Sequence, residues 1–242
     1  MRKRGAVPDD RLLRILTRLS SVEASSSGSA RLCEVCADVV VMSGAGIMLI
    51  SGDVSQGSVC TTNDVSALIE ELQYTLGEGP CIDAYHQQEP VLEPDLAGAV
   101  TSRWLAFTPP AVEAGVRAVF GFPLRIGAAR IGALNLYRDR PGPLSADQHA
   151  DALVLAGVAA RSLLAMQADA PSGELAHELA VSGDFRLVVH QASGMVSVQL
   201  NIGVGDALLR LRAYAFANGQ PLVDVAKDVV NRRLRLDDPG PT

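Results

Sequence analysis

Apolar positions in this chain follow two rhythms, one with the period of a helix and one that alternates. Residues 9–24 place Leu12, Leu13, Leu16 and Leu19 at helical spacing, which predicts an amphipathic helix. A Ser/Gly linker at 25–29 separates it from a second predicted helix over 30–42. Short apolar runs at 46–51 and 58–62 predict strands, joined by a turn around Gly52, Asp53 and Gly57. Asp64 is placed to cap a helix that reaches Thr75. Residues 76–81 (LGEGPC) form a turn into a short helix through Asp83 and Ala84. An extended piece follows at 91–93, then a helix over 109–114 that stops near Gly115.

The clearest alternation lies at 118–126 and 129–137, a hairpin turning at Gly127. Ser145 caps a long helix over 146–167, whose apolar positions include Leu153, Leu155, Val158, Leu163 and Leu164. Pro171, Ser172 and Gly173 break the pattern and mark a boundary. Helices around a strand pair and a hairpin describe an α+β fold with a mostly antiparallel sheet. Beyond the boundary, residues 185–236 read as three short amphipathic helices. Their apolar stripes are Val189, Ala192, Val196 and Leu200; then Ala207, Leu211 and Ala215; then Leu222, Val225, Ala226 and Val229. The expected organisation is therefore a domain at 9–168, a linker at 169–183 and a helical module at 184–236.

Charge sharpens the contrast between the two parts. The whole chain of 242 residues carries a net charge of −6. Residues 184–236 hold seven basic and four acidic side chains, a net of +3, while residues 1–183 hold 14 basic and 21 acidic ones. A basic module beside an acidic one points to phosphate as the module's partner. The three-helix module is too small to enclose a catalytic cavity, yet it has surface enough to hold a nucleic acid. No apolar run reaches the roughly 18 residues of a membrane span, and the basic start leads into Pro8, Asp9 and Asp10 rather than an apolar signal core. A cytoplasmic protein is the expectation.

Enzyme signatures are missing. The chain has no phosphate-cradling GxxxxGK, no HExxH and no GxSxG, so no catalytic residue is assigned. Four cysteines, Cys33, Cys36, Cys60 and Cys81, all lie in the first third. Cys33 and Cys36 form a single CxxC inside a helical pattern, which without a second pair reads as buried thiols rather than a metal site. No disulfide framework is expected in this setting.

Residues 74–84 (YTLGEGPCIDA), the 122–137 hairpin (FPLRIGAARIGALNLY) and the helix after LSADQ at 144–148 resemble a GAF domain, over about 11–166. The resemblance implies a PAS-like antiparallel sheet flanked by helices, acting as a sensor of a small molecule or as a dimerisation module. Gly77 and Glu78 would border its pocket, and Cys81 would be a thiol beside it. Residues 184–236 are similar to an ANTAR domain through Gln191, Ala192 and Gly194, Ala207, Leu211, Arg212 and Ala215, then Asp224, Val225 and Ala226. That resemblance implies a three-helix bundle that binds RNA stem-loops of nascent transcripts, as a dimer, in transcription antitermination.

On this reading the RNA-binding residues are Gln191, Ala192, Ser193, Gly194, Arg210, Arg212, Tyr214 and Lys227. Arginine forks donate bidentately to phosphate, and a tyrosine ring stacks on an unpaired base. Ser193 stands where the family carries Lys, which removes one phosphate-seeking charge. Gly194 inside a helix costs about 0.5–1 kcal/mol relative to Ala, so either close helix packing or close approach of an RNA backbone must explain it. The helices at 9–24 and 146–167 are candidate dimer surfaces. The competing reading is a thiol-based redox sensor, or a GAF-type methionine sulfoxide reductase, in which Cys60 and Cys81 meet in the pocket.

Overall fold

A computed structural model describes residues 8–21, 28–51, 54–98, 103–169 and 184–236. The chain divides into two compact units, Met1–Asp169 and Ala170–Thr242. The first unit is built from helices α1 (Pro8–Ser21), α2 (Gly28–Val40), α3 (Asp64–Leu76), α4 (Pro80–Gln87), α5 (Thr108–Glu113) and α6 (Ala146–Asp169). Its strands are β1 (Gly44–Ser51), β2 (Val54–Thr61), β3 (Val91–Glu93), β4 (Ala118–Ile126) and β5 (Ala129–Arg138). The strands form one sheet in the order β2-β1-β5-β4-β3, with every neighbouring pair antiparallel.

Local chemistry sets the element ends. Asn63, not Asp64, caps α3: its side chain accepts from the Ser66 N–H and the Ser66 hydroxyl accepts from the Asn63 N–H, a reciprocal capping box. Ser145 caps α6 as expected, with Gln148 returning the bond to the Ser145 N–H. Both strands of the first pair start earlier than their apolar runs: Gly44 and Ala45 pair with Tyr137 and Leu136 of β5, and Val54, Ser55 and Gly57 extend the β1–β2 ladder past two register shifts. The expected first helix is described only to Ser21, and the 25–29 linker only at Gly28 and Ser29, which open α2. The turn at 52–53 and the linker beyond Asp169 lie outside the described residues.

Register fixes which side chains share a face. Gly46, Asn135 and Gly121 stand in one row across β1, β5 and β4, and their neighbours Ile47, Leu134, Leu136, Phe120 and Phe122 point to the opposite side. The second, oily face is covered by α2 and α6, where Phe122 meets the His149 ring edge to face at 5.8 Å. Arg11 of α1 fastens to α6 through Asp147 and, at 2.8 Å, Asp151, and Arg14 adds two bonds of 2.7 Å to Asp151. Residues 146–166 have the length and apolar content of a membrane-crossing helix. In this fold Ala152, Leu155, Ala159 and Leu163 of that helix are buried as core.

One expectation fails here. Cys33 of α2 and Cys60 of β2 are joined in a disulfide, their Cα atoms 6.0 Å apart. Cys60 sits opposite Ile47 and therefore on the face that α2 covers, which brings together thiols 27 residues apart. Cys36 and Cys81 are free and buried.

The second unit contains α7 (Asp184–Leu200), α8 (Val204–Ala217) and α9 (Leu222–Val230), packed pairwise. Its core is the stripes read from the sequence: Val189, Ala192 and Val196, Ala207, Leu211 and Ala215, and Leu222, Val225, Ala226 and Val229 are all buried. Leu200 is half-buried at the helix end.

Closing a loop of this length by a cross-link stabilises a protein by about 3–4 kcal/mol. The double variant Cys33→Ser/Cys60→Ser is expected to lose about that much in urea unfolding under oxidising conditions, and none relative to wild type under reducing ones. Burial pushes the Cys36 thiol up to about 12 from an ordinary 9.0, so the folded chain holds this proton where the unfolded chain releases it. That share of stability is present below about pH 9 and is lost as pH rises towards about 12, with a slope of about 1.4 kcal/mol per pH unit. Unfolding of Cys36→Ala across that window is expected to show the shallower alkaline fall.

Candidate functional site

In the first unit the informative surface is the sheet face bearing Gly46, Asn135 and Gly121. Glycine at 121 is required by distance: a Cβ there would lie 2.3 Å from the Pro80 carbonyl oxygen. The first turn of α4 therefore rests on β4 itself. At Gly46 a Cβ would lie 2.7 Å from Glu70 Oε1, so the Glu70 side chain of α3 covers β1. Asn135 projects between these two points. It is 0% exposed, and neither atom of its amide has a hydrogen-bond partner. Gln73 beside it is equally buried; its Oε1 accepts the Cys81 N–H at 2.7 Å, while its Nε2 has no partner.

The turn between α3 and α4 takes its shape from the residues singled out in sequence. Gly77 ends α3 in the left-handed region at φ 68°, its N–H donating to Gln73 O at 2.9 Å. Glu78 accepts the N–H groups of Ala106 and Phe107 at 2.6 and 2.8 Å. It thus gathers the segment before α5 onto the turn rather than facing a ligand. Trp104 in that segment donates its ring N–H to Asp83 at 3.0 Å, and Arg103 pairs with the same carboxylate at 2.8 Å while lying over the indole. Trp104, Phe107, Ile69, Val119 and Tyr137 pack into one buried cluster on this face. The face is thus a polar row walled by aromatics.

Cys81 is not poised as a nucleophile. Burial first, and the Glu70 charge second, push its thiol well above 9.0, with the Gln73 contact opposing them. Nor does it meet Cys60. Cys81 opens α4 above Gly121 on one side of the sheet, whereas Cys60 is bonded to Cys33 on the other. The pairing expected for a reductase pocket is corrected by sheet alternation alone.

In the second unit the expected RNA residues divide. Ala192 and Ser193 turn inward, and the Ser193 hydroxyl donates to the Val189 carbonyl at 2.8 Å. Their side chains belong to the bundle core, a correction that follows for Ala192 from its place on the Val189 stripe and for Ser193 from its position one turn after Val189, whose carbonyl it bonds. Gln191 is exposed, and Gly194 has nothing within 4 Å of the position a Cβ would take. Packing within this unit therefore does not require glycine at 194.

Arg210 and Lys227 are exposed, with Lys227 3.5 Å from Asp224, while Arg212 and Tyr214 are half-buried. Asp228 engages Arg233 through two contacts of 2.8 and 2.9 Å. Arg232 and Arg235 are exposed and border a groove of about 710 Å³. Gly194, Met195, Val198 and Leu234 help to line it, with Gln191 at its edge.

One residue was missed. Phe216 is 69% exposed at the end of α8, in a stripe with exposed Leu209 and Ala213. Its signal was present, since position 216 falls on the side of the helix away from the buried Ala207, Leu211 and Ala215 stripe, but the neighbouring Tyr214 drew the stacking assignment. Among the described residues no cluster of His, Cys, Asp and Glu is arranged to hold a metal.

A buried amide without partners costs about 1–3 kcal/mol. Asn135→Val is therefore expected to leave the unfolding midpoint unchanged or raise it, by about 1 kcal/mol in stability. A clear loss in thermal unfolding would mean that the amide is bonded in solution.

The pattern of the GAF domain matches residues 29–164. Among solved structures, the GAF domain of a phosphoenolpyruvate-protein phosphotransferase from Coxiella burnetii is similar at 12% identity and a TM-score of 0.52, covering 66% of this chain and 95% of that one. The corresponding Acinetobacter domain gives 15% and 0.49, covering 66% and 95%. A free methionine-R-sulfoxide reductase from Neisseria meningitidis, in complex with its substrate, gives 16% and 0.47, covering 70% and 96%. At 12% identity the Coxiella burnetii likeness speaks for the fold alone. No curated protein matches the sequence. With the five-stranded antiparallel sheet, its flanking helices and a family match over more than half of its length, this chain belongs to the GAF domain family.

Proposed function

We propose that this chain is a cytoplasmic, signal-responsive regulator whose helical unit binds RNA stem-loops in nascent transcripts and so opposes transcription termination. The GAF unit is its sensor or its pairing module. The observation that carries the reading is the outward surface of the small bundle. Arg232 and Arg235 are exposed at the border of an open groove that Gly194 helps to line, and α8 exposes Arg210 and Phe216. Exposed arginines supply phosphate contacts, and an exposed aromatic ring supplies a stacking platform for an unpaired base. Gly194 costs helix stability and no packing within the unit demands it, which favours the close approach of a backbone from outside. The resemblance to the ANTAR domain supplies the choice of RNA.

The sensor half of the proposal rests on the row Gly46, Asn135 and Gly121. Asn135 and Gln73 present buried amide groups that a small hydrogen-bonding ligand would satisfy. Pairing of two chains is favoured by Leu13 and Leu16 on α1 and by Leu153 and Leu164 on α6, all exposed large apolar side chains. Two paired bundles would engage two stem-loops, raising affinity through effective concentration. Enzymatic reduction of methionine sulfoxide through Cys60 and Cys81 is not part of this reading, since those thiols lie on opposite sides of the sheet.

RNA capture from cell extract, with the full chain and with a truncation ending at Ser172, tests the whole proposal. Stem-loop RNA retained by the full chain and lost from the truncation is the expected result, and equal retention by both defeats it. Within the bundle, Arg212→Ala and Phe216→Ala are each expected to weaken binding of a hairpin RNA by about 1–3 kcal/mol. Helical circular dichroism should stay unchanged in Phe216→Ala, whose ring contributes little to the core.

A further inference from the structure

The disulfide on the oily side of the sheet is used by nothing described so far. We propose that Cys33 and Cys60 form a reversible dithiol–disulfide site, whose closed state clamps α2 to the edge strand β2 and whose open state releases that edge. This goes beyond the sensor reading above and rests on it in one respect, the reducing compartment assigned to the chain. In such a compartment disulfides are characteristically transient and redox-sensing rather than permanent staples.

Geometry gives the site a direction of attack. Among the described residues β2 is the outermost strand of the sheet, paired with β1 on one side only. Cys60 retains 8% exposure on that strand, whereas Cys33, on α2, is wholly buried. Attack by an external thiolate therefore falls on the Cys60 sulfur when the edge strand opens locally, and Cys33 is the leaving group. The attacking sulfur bonds to Cys60 Sγ, the Cys33–Cys60 bond breaks, and Cys33 departs as a thiolate that takes up a proton. The second thiolate of a dithiol reductant then attacks its own partner sulfur in the mixed disulfide. Cys60 leaves, is protonated in turn, and the reductant is released as a cyclic disulfide. Two electrons pass from the dithiol to the protein. Closure takes oxidised glutathione as the oxidant: the Cys60 thiolate attacks it and expels one glutathione thiolate, then the Cys33 thiolate attacks Cys60 Sγ in the mixed disulfide and expels the second, both leaving groups taking up protons.

Two further features suit a switch. Cys36 lies one turn from Cys33 on α2 and could trap it in the wrong bond, but it is buried and free. Its thiol is held protonated by burial up to about 12, so it does not compete. The edge that the bond secures is also the irregular one. The β1–β2 ladder carries shifts between Ile47 and Met48 and between Leu49 and Ile50, so it has fewer regular bonds to hold it once the clamp opens.

The full chain in solution tests this without any RNA. Samples are equilibrated with glutathione buffers of graded ratio, quenched in acid, unfolded and alkylated with N-ethylmaleimide, and labelled peptides are mapped. Oxidised chain is expected to take label at Cys36 and Cys81 only, and reduced chain at all four cysteines, with reoxidation restoring the first pattern. Amide hydrogen exchange should rise in α2 and β2 on reduction and stay level in α3 and α4. Cys36→Ala should shift neither response.

Label at Cys33 and Cys60 at every ratio would overturn the proposal, as would a bond that persists at every ratio and so acts as a fixed staple. Unchanged exchange in α2 and β2 after confirmed reduction would overturn the clamp. RNA capture failing while these results hold would sink the RNA reading and leave the thiol site standing.

Discussion

The GAF unit depends on one close approach, the seating of α4 on β4 at Gly121. A methyl group at that position would collide with the Pro80 carbonyl, so the helix can lie on the sheet only because the side chain is absent. The surrounding contacts follow from this seat. The Cys81 N–H is delivered to Gln73, Gly77 and Gly79 bend the turn through positive φ, and Glu78 reaches the backbone N–H groups of Ala106 and Phe107. Trp104 is then drawn over α4 to Asp83. Gly46 repeats the device under Glu70.

The two sheet faces consequently carry different chemistry. One face is oily, built from Ile47, Leu134, Leu136, Phe120 and Phe122 and closed by α2 and α6. The other buries the Asn135 amide, with that of Gln73 from α3, against an aromatic wall. Buried polar groups are expensive without partners and specific with them. That is the physical ground for placing recognition on the second face and mechanical coupling on the first, where the Cys33–Cys60 bond and the Arg11 ion pairs hold helices in place.

The helical unit solves the opposite problem. Its core of alanines, valines and leucines is small, and its polar groups stay outside or are satisfied locally, as Ser193 is by the Val189 carbonyl. Not all of its positive charge is available to a partner, because Asp224 and Asp228 engage Lys227 and Arg233. Arg210, Arg232 and Arg235 stand exposed on the same unit.

Much of this was legible in the sequence. The three stripes of the bundle, the β4–β5 hairpin and the Ser145 cap all stand where periodicity put them, because burial on one side of a helix or strand leaves a regular mark over a few residues. The identity of the α3 cap shifted by one residue, which periodicity does not resolve. What the chain order could not reveal was which distant positions share a face. The partner of Cys33 lies on β2 because α2 crosses that strand, and Asn135 is sealed because Gly46 and Gly121 flank it in register. Phe216 is exposed, and Ala192 and Ser193 are hidden, because of where neighbouring helices dock. Local pattern reports how each segment divides its own polar and apolar sides, while pairing, sealing and exposure are set by contacts between segments far apart in sequence.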